Sequence, residues 1–311
     1  MQQFGRPYNK VLVGGIQFYQ FLYFCSQMKA DKELLRQFIS QALIEDIGDG
    51  DHTSRSTIPQ GREGKAQLII KEDGVLAGLS VAEEIFRAVD PDLKLTFLLK
   101  DGDEVKKGDI GFYVEGKSYS IVVAERLVLN TMQRMSGIAT TTKRIVKILE
   151  GTKTKVLDTR KTTPNMRFLE KLAVKIGGGV NHRFGLYDMI LIKDNHVDYA
   201  GGIREAILAA NAYLKEKNIK LPIEIEVRNL DELRLVLAAG GVDRILLDNF
   251  NFDLLKKAVE LVNGRFITEA SGGITEENVL QYAQCGVDYV SMGALTHSVK
   301  SLDMSLKAVK I

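Results

Sequence analysis

The chain has 311 residues, 45% of them hydrophobic and 26% charged, values near the globular average that exclude disordered and collagen-like classes. Its formal net charge is only +2, too small to draw the whole molecule to nucleic acid or an anionic membrane, so any anion site must come from local clustering of Lys and Arg. The two cysteines, Cys25 and Cys285, are far apart and lack metal or redox spacing, which predicts a reduced, cytoplasmic setting, and no apolar run reaches the roughly 18 residues of a membrane span.

Residues 1–28 read as an extension of unknown role. The stretch 14–25 is aromatic but interrupted by Gln17 and Gln20, and it has no small-residue cleavage site, so it does not read as a signal peptide. Met28 opens a polar, helix-like segment and is an alternative start. Deleting residues 1–27 is expected to leave turnover intact, as an assay of the truncated chain would measure. Residues 30–47 place Leu34, Leu35, Phe38, Ile39, Ala42 and Leu43 on one helical face. Residues 66–70 read as a strand and 80–89 as a helix stopped by Asp90-Pro91. Residues 93–99 and 110–114 read as a β-hairpin region, with the Asp- and Gly-rich run 101–109 supplying the turn chemistry. This first half, 29–139, is an α+β domain, and the rhythm changes near residues 131–139.

From Lys155 onward short apolar runs recur at 156–157, 189–192, 223–227, 245–247, 266–267 and 289–290. Helical patterns at 230–239, 252–262 and 275–284 lie between the later ones. Alternation at this spacing predicts parallel strands with crossover helices. A barrel is favoured over an open sheet because chemically loaded residues follow nearly every strand, and a barrel would gather them on its C-terminal rim.

Those residues are Asp158-Thr-Arg-Lys-Thr-Thr-Pro164, Asn181-His-Arg183, Lys193-Asp-Asn-His196, Glu224 with Glu226, Asp248-Asn249, Ser271-Gly-Gly273 and Gly293-Ala294. One Lys or Asp after a strand is ordinarily a solvated loop charge; the set at successive strand ends is harder to ascribe to chance. Arg160, Lys161, His182, Arg183 and Lys193 form a cationic group suited to planar carboxylates and phosphates. Glu226 and Asp248 are carboxylates that suit Mg²⁺ or ribose hydroxyls, with salt bridges to the neighbouring cations as the plainer alternative. The glycines of 271–273 and 293–294 let backbone amides approach an anion at a helix start, whereas Gly177-Gly-Gly179 reads as backbone accommodation. There is no Walker-type loop, metalloprotease helix, nucleophile elbow or kinase signature.

These motifs resemble the quinolinate phosphoribosyltransferases. The resemblance is carried by Asp158–Pro164, Gly177–Arg183, Gly185-Leu-Tyr-Asp188, Leu191–His196, Ala124-Glu-Arg126, Leu129-Asn130, Ser136–Thr140, Leu247–Asn249, Glu269–Gly273 and Gly293–Ser298, and it runs from about Lys29 to the end. Asn165 departs from the family's usual Gly after Pro164, a change a left-handed Asn would tolerate. The resemblance implies an N-terminal α+β sandwich at 29–139, then an incomplete α/β barrel at 140–311 whose last helix returns to the first domain. It implies quinolinate and 5-phosphoribosyl 1-diphosphate as substrates, Mg²⁺ as cofactor and nicotinate mononucleotide for NAD synthesis as product. It also implies a homodimer or higher homo-oligomer in which Arg126 serves the partner's barrel. The implied quinolinate contacts are Arg126, Arg160, His182, Arg183 and Lys193. The implied donor contacts are Lys161, Glu226, Asp248, Ser271, Gly272, Gly273, Met292, Gly293 and Ala294, with Lys161, Glu226 and Asp248 catalytic and the last two holding the metal directly or through the donor; Thr159 is a further substrate-binding residue. The rivals are transfer to nicotinate without decarboxylation and a non-catalytic phosphate-metabolite sensor.

Overall fold

The computed structural model describes residues 32–309, and the chain separates into two compact units, Met1–Asp51 and His52–Ile311. The expectations for residues 1–28, including the start at Met28 and the state of Cys25, lie outside the described residues. In the first unit a helix, α1, is described over residues 32–47 and gives way at Gly48, whose φ of 54° is left-handed.

The second unit opens with α2 (His52–Thr57) and a four-stranded antiparallel sheet. Its order places β1 (Glu63–Ile70) and β5 (Ile110–Lys117) between β12 (Met304–Ala308) and β3 (Lys94–Phe97). The expected hairpin is β3 against β5, with Phe97 opposite Phe112. Its long connection carries β4 (Glu104–Val105), which pairs with β2 (Gly74–Val75). Asp103 and Asp109 shape that connection by accepting the Lys100 and Lys106 amides at 3.0 and 2.8 Å. The helix expected at 80–89 is α3 (Leu79–Val89); its Phe86 meets Phe112 edge-on at 5.9 Å in the core of this layer.

Residues 131–139 lie inside one 31-residue helix, α4 (Ser118–Ile148). It buries Leu127, Val128, Thr131, Met132, Met135, Ile138, Ala139, Thr142 and Ile145, a helical stripe that packs α3 at one end and the barrel's first helix at the other. The 136–140 motif is a seam. Ser136 Oγ accepts the Ala77 amide and Thr140 Oγ1 the Val75 amide, both at 2.9 Å. A side chain at Gly137 would collide with the Lys300 carbonyl.

Six parallel strands follow: β6 (Lys155–Leu157), β7 (Ile190–Ile192), β8 (Ile223–Val227), β9 (Arg244–Asp248), β10 (Ile267–Ser271) and β11 (Tyr289–Ser291). They pair in the order β6-β11-β10-β9-β8-β7. The ring is incomplete between β6 and β7, where a single parallel bridge joins Leu157 to Val180. The helices α5 (Arg167–Ile176), α6 (Asp194–Ala200), α7 (Ile203–Lys217), α8 (Leu230–Ala239), α9 (Phe252–Val262), α10 (Val279–Gln284) and α11 (Ala294–His297) alternate with the strands. No helix among the described residues is long and apolar enough to cross a membrane.

The chain's last element departs from expectation. It does return to the first layer, but as strand β12 rather than a helix, with Leu306 opposite Leu68 of β1. Met304 and Leu306 are buried with Ser305 between them, a period of two, and the β1 edge supplies partners for the backbone.

Candidate active site

Strand pleat decides which side chains enter the barrel. On β8, Ile223, Ile225 and Val227 are buried on one face, while Glu224 and Glu226 share the other. Parallel pairing aligns Glu226 with Leu246 and Asp248 with Ser271, so acidic and small polar groups converge at the C-terminal strand ends.

The loop after β6 is organised by Asp158, which is 0% exposed. Its carboxylate accepts Lys171 Nζ from α5, Asn181 Nδ2 at 2.6 Å and the His182 amide at 2.8 Å. Lys171 also donates to the His182 carbonyl at 3.1 Å. Burial pushes the Asp158 carboxyl up and the Lys171 amine down, and their direct bond pulls each back toward its charged form. One buried ion pair thus joins the first strand end to the Asn181–Arg183 segment. Gly177 and Gly179 make this approach possible, because a Cβ on either would overlap Thr142 of α4. Asn165 adopts φ 64°, the left-handed turn expected of it.

Arg160 and Lys161 project from the same loop and are exposed. Thr159 Oγ1 caps the turn by accepting the Lys161 amide at 3.0 Å. Lys161 runs beside Gly293, where an added Cβ would lie 3.0 Å from Lys161 Cδ. Thr296 Oγ1 donates to the Lys161 carbonyl at 2.8 Å, and Met292 donates its amide to Leu157 at 3.0 Å. The β6 and β11 loops are therefore laced together, with the lysine against the Met292-Gly293-Ala294 turn. In the β10 loop Gly272 and Gly273 have φ of 98° and 61°, and Asn249, at φ 55°, packs where a Gly272 side chain would stand. The Asn249 amide donates to the Ser271 carbonyl at 2.8 Å and its side chain to Asp248 at 2.6 Å.

Arg183 is 9% exposed and donates to the Met189 carbonyl at 3.2 Å. Burial, then the charge of Arg160, pull its pKa below the usual arginine value, which places the two guanidinium groups in one field. Lys193 is half exposed, with Nζ 3.7 Å from Glu226 Oε2. Burial pushes the Glu226 carboxyl up, Lys193 pulls it back and Asp248 adds to the rise, so the three groups interact. His182 faces the other way: its side chain is 7% exposed and Nε2 lies 3.0 Å from Glu224 and 3.6 Å from Glu269, inside the barrel. Arg126 stands exposed on α4 and forms no ion pair or hydrogen bond among the described residues.

Other functional groups carry no hydropathy signal. Arg134 on α4 donates to Glu170 at 2.7 Å, to Thr163 Oγ1 at 2.9 Å and to the Thr296 carbonyl at 2.9 Å, binding α4 to both the β6 and β11 loops. Glu170 and Lys171 are adjacent, charged and buried on α5. Arg244 of β9 donates to Glu269 on the neighbouring strand β10 at 2.9 Å and lies over the Tyr289 ring at 4.7 Å. The period-two pair Glu224 and Glu226 was the one legible hint of this polar lumen.

Comparison with known proteins agrees with this geometry. Residues 51–136 match the family model of the quinolinate phosphoribosyl transferase N-terminal domain, and residues 138–307 match that of the C-terminal domain. A Nicotiana tabacum protein named quinolinate phosphoribosyltransferase [decarboxylating] 2b, mitochondrial, is 48% identical over 288 residues, covering 88% of this chain and 82% of the relative. A Bacillus subtilis protein named probable nicotinate-nucleotide pyrophosphorylase [carboxylating] is 42% identical over 272 residues, covering 88% of this chain and 92% of its own. The crystal structure of NadC from Streptococcus pyogenes superposes with a TM-score of 0.83 at 39% identity, covering 89% of this chain and 97% of that one.

Proposed function

This chain belongs to the quinolinate phosphoribosyltransferase family, and we infer from its barrel rim how the work of that reaction is divided among its residues. The reaction is decarboxylating phosphoribosyl transfer to quinolinate, a step of NAD synthesis. The observation that carries the division is the rim itself, where Lys193 meets Glu226 beside Asp248, Arg160 shares a field with Arg183, and Lys161 lies against Gly293.

Both substrates are multiply anionic and repel each other until cations hold them together. Arg160, Arg183 and Lys193 hold the quinolinate carboxylates, with Arg126 of a second subunit closing the site in a homodimer. Lys161, beside Gly293, faces the donor's phosphates together with Thr159, Ser271, Gly272, Gly273, Met292, Gly293 and Ala294. Fixed charges of this kind need no reorganisation as the ring nitrogen attacks ribose C1 and the C1–oxygen bond to pyrophosphate breaks. Glu226 and Asp248 face the positive charge that develops on the ribose and hold its hydroxyls. No protein nucleophile is required. Once the ring nitrogen is bonded to C1 and positive, the C2–carboxylate bond breaks, its electron pair stays on C2 beside that nitrogen, carbon dioxide leaves, and a proton from solvent completes C2.

The same two carboxylates fit Mg²⁺. They are hard oxygen donors at neighbouring strand ends, partly exposed, and the Glu226 carboxyl, raised first by burial, is raised further by the charge of Asp248. When bound, Mg²⁺ supplies charge neutralisation to the donor's pyrophosphate. Asp248→Asn should weaken donor binding and lower turnover while quinolinate affinity stays within about threefold. Glu226→Gln should do the same with some effect on quinolinate, since Glu226 also touches Lys193. Calorimetric titration of each substrate separates the two effects, and unchanged donor affinity in both variants removes the assignment.

Lys193→Met should cost at least about tenfold in quinolinate affinity, near 1.4 kcal/mol, by the same titration; wild-type affinity would return Lys193 to the solvated surface. We place the enzyme in the cytoplasm on the reduced, buried Cys285. Plant relatives carry mitochondrial and chloroplastic names, so cell fractionation is the test. The reading as a whole is tested by carbon dioxide release. Quinolinate with the phosphoribosyl donor and Mg²⁺ should give one carbon dioxide per pyrophosphate. Turnover of nicotinate with pyrophosphate release and no carbon dioxide would overturn it.

A further inference from the structure

The barrel lumen below the rim holds a group of side chains that the transfer reaction, as divided above, does not use. Glu224 and Glu269 are both 0% exposed. Both Glu224 carboxylate oxygens and Oε1 of Glu269 lack a hydrogen bond, an expensive condition for buried carboxylates. Arg244 satisfies only Oε2 of Glu269, at 2.9 Å. The His182 ring faces one of the orphaned oxygens, with Nε2 3.0 Å from Glu224 Oε2. That contact is short but off the line of a ring N–H, so its attraction is electrostatic rather than that of an aligned hydrogen bond.

The other ring nitrogen fixes the tautomer. His182 Nδ1 accepts the Arg183 amide at 2.7 Å, so Nδ1 carries no proton and a neutral ring has its proton on Nε2. The charged groups around the ring are Glu224 on β8, Glu269 on β10, Arg244 on β9, Lys171 on α5 and Arg183 beside it. Burial, the largest influence, favours the uncharged imidazole over the pull of the Glu269 carboxylate. The imidazole nitrogen and the two carboxylates lie within 4.8 Å of one another, close enough to ligate a metal ion. A metal on Nε2 would move the ring proton to Nδ1, where it would oppose the Arg183 amide.

We propose that His182 is a positioning residue rather than a substrate cation. Glu224 and Glu269 hold its proton on Nε2, and its Nδ1 in turn fixes the main chain from which Arg183 reaches quinolinate. The role rests on the reading of Arg183 as a quinolinate contact. Mutual orientation of this kind is what keeps a binding guanidinium within the narrow geometry that recognition of a planar carboxylate requires.

The experiment is long-range proton–nitrogen NMR of the uniformly ¹⁵N-labelled full chain, with the His182 ring signals identified by their loss in His182→Gln. Between about pH 6 and 8.5 the ring should show the neutral Nε2–H pattern and keep it at saturating quinolinate. An imidazolium pattern at neutral pH, an Nδ1–H pattern, or conversion to imidazolium when quinolinate binds would each overturn the proposal. A second measurement compares two substitutions of similar volume. Glu224→Gln keeps an acceptor facing Nε2 and should retain both the tautomer and quinolinate affinity within about threefold. Glu224→Met removes the acceptor and should lose the pure Nε2–H pattern and weaken quinolinate about tenfold or more. Equal behaviour of the two, in the tautomer and in affinity, would count against the role. The tautomer is read in the free enzyme, so it stands or falls apart from turnover, whereas a chain that binds no quinolinate would overturn the reading of the rim instead.

Discussion

Replacing Arg134 with alanine should lower folding stability by about 3–5 kcal/mol, because it strands a carboxylate inside the protein. Glu170 is 0% exposed, and Arg134 is its only cationic partner among the described ion pairs. Its remaining bond is from the Thr163 amide, a long 3.2 Å. The arginine also ties Thr163 and the Thr296 carbonyl to α4, so the lost interactions lie directly beneath Lys161 and Gly293. Chemical denaturation of Arg134→Ala against the wild type measures the cost. Adding Glu170→Leu removes the stranded charge and should recover most of it, since a buried ion pair replaced whole by apolar groups is often near neutral. A single-variant loss below about 1 kcal/mol would mean that Glu170 is satisfied in some other way.

That network shows where sequence reading stops. The rim was legible because its residues follow strands in chain order: Asp158 to Lys161 after β6, Lys193 after β7, Asp248 after β9 and the glycines after β10 and β11. Period-two and helical patterns placed those elements, and the terminal residues of a parallel strand point toward one rim whatever lies between. Arg134, Glu170 and Lys171 were invisible for the opposite reason. Each is a charged residue on a helix, where hydropathy predicts a solvated position, yet Arg134 is half-buried against Glu170 and Lys171 is buried against Asp158. The structure also gives a lumen lined by Glu224, Arg244 and Glu269 behind the cationic rim, of which the sequence showed only Glu224. The strand β12 was missed because its five residues, Met304–Ala308, carry too short an alternation to separate from a helix turn, and the decisive factor is the distant β1 edge.

The polar lumen bears on how the rim can be so cationic. Arg160, Arg183 and Lys193 are held at the mouth without substrate, and self-repulsion would spread them apart in a freely solvated loop. Here the backbone carrying Arg183 is pinned by Asp158 through the Asn181 side chain and the His182 amide, and Glu224 lies within its field. Lys193 leans on Glu226. The acidic groups below therefore compensate part of the charge that quinolinate and the donor would neutralise on binding.

Mixing two inactive variants should restore activity if Arg126 acts in the partner's site. Arg126→Ala leaves every barrel group in place, and Lys161→Ala leaves Arg126 in place. Alone, each should fall by about 10²–10³ in kcat, the scale of one preorganised electrostatic contact worth about 2.7–4 kcal/mol. Arg126 is suited to such a part because it is exposed on α4 with no partner of its own among the described residues, and a guanidinium left unpaired on a helix that is otherwise well buried is available to a second subunit. In a mixed dimer the Arg126→Ala barrel keeps Lys161 and receives an intact arginine from its neighbour, while the other barrel lacks both. Random reassortment of equal amounts makes about half the dimers mixed, each with one complete site of two, so activity should recover to about a quarter of wild type. The readout is carbon dioxide release after subunit exchange, with exchange itself verified by mass spectrometry of differently tagged chains. If exchange is complete and the mixture remains as inactive as its parents, the arginine works within its own subunit or not at all.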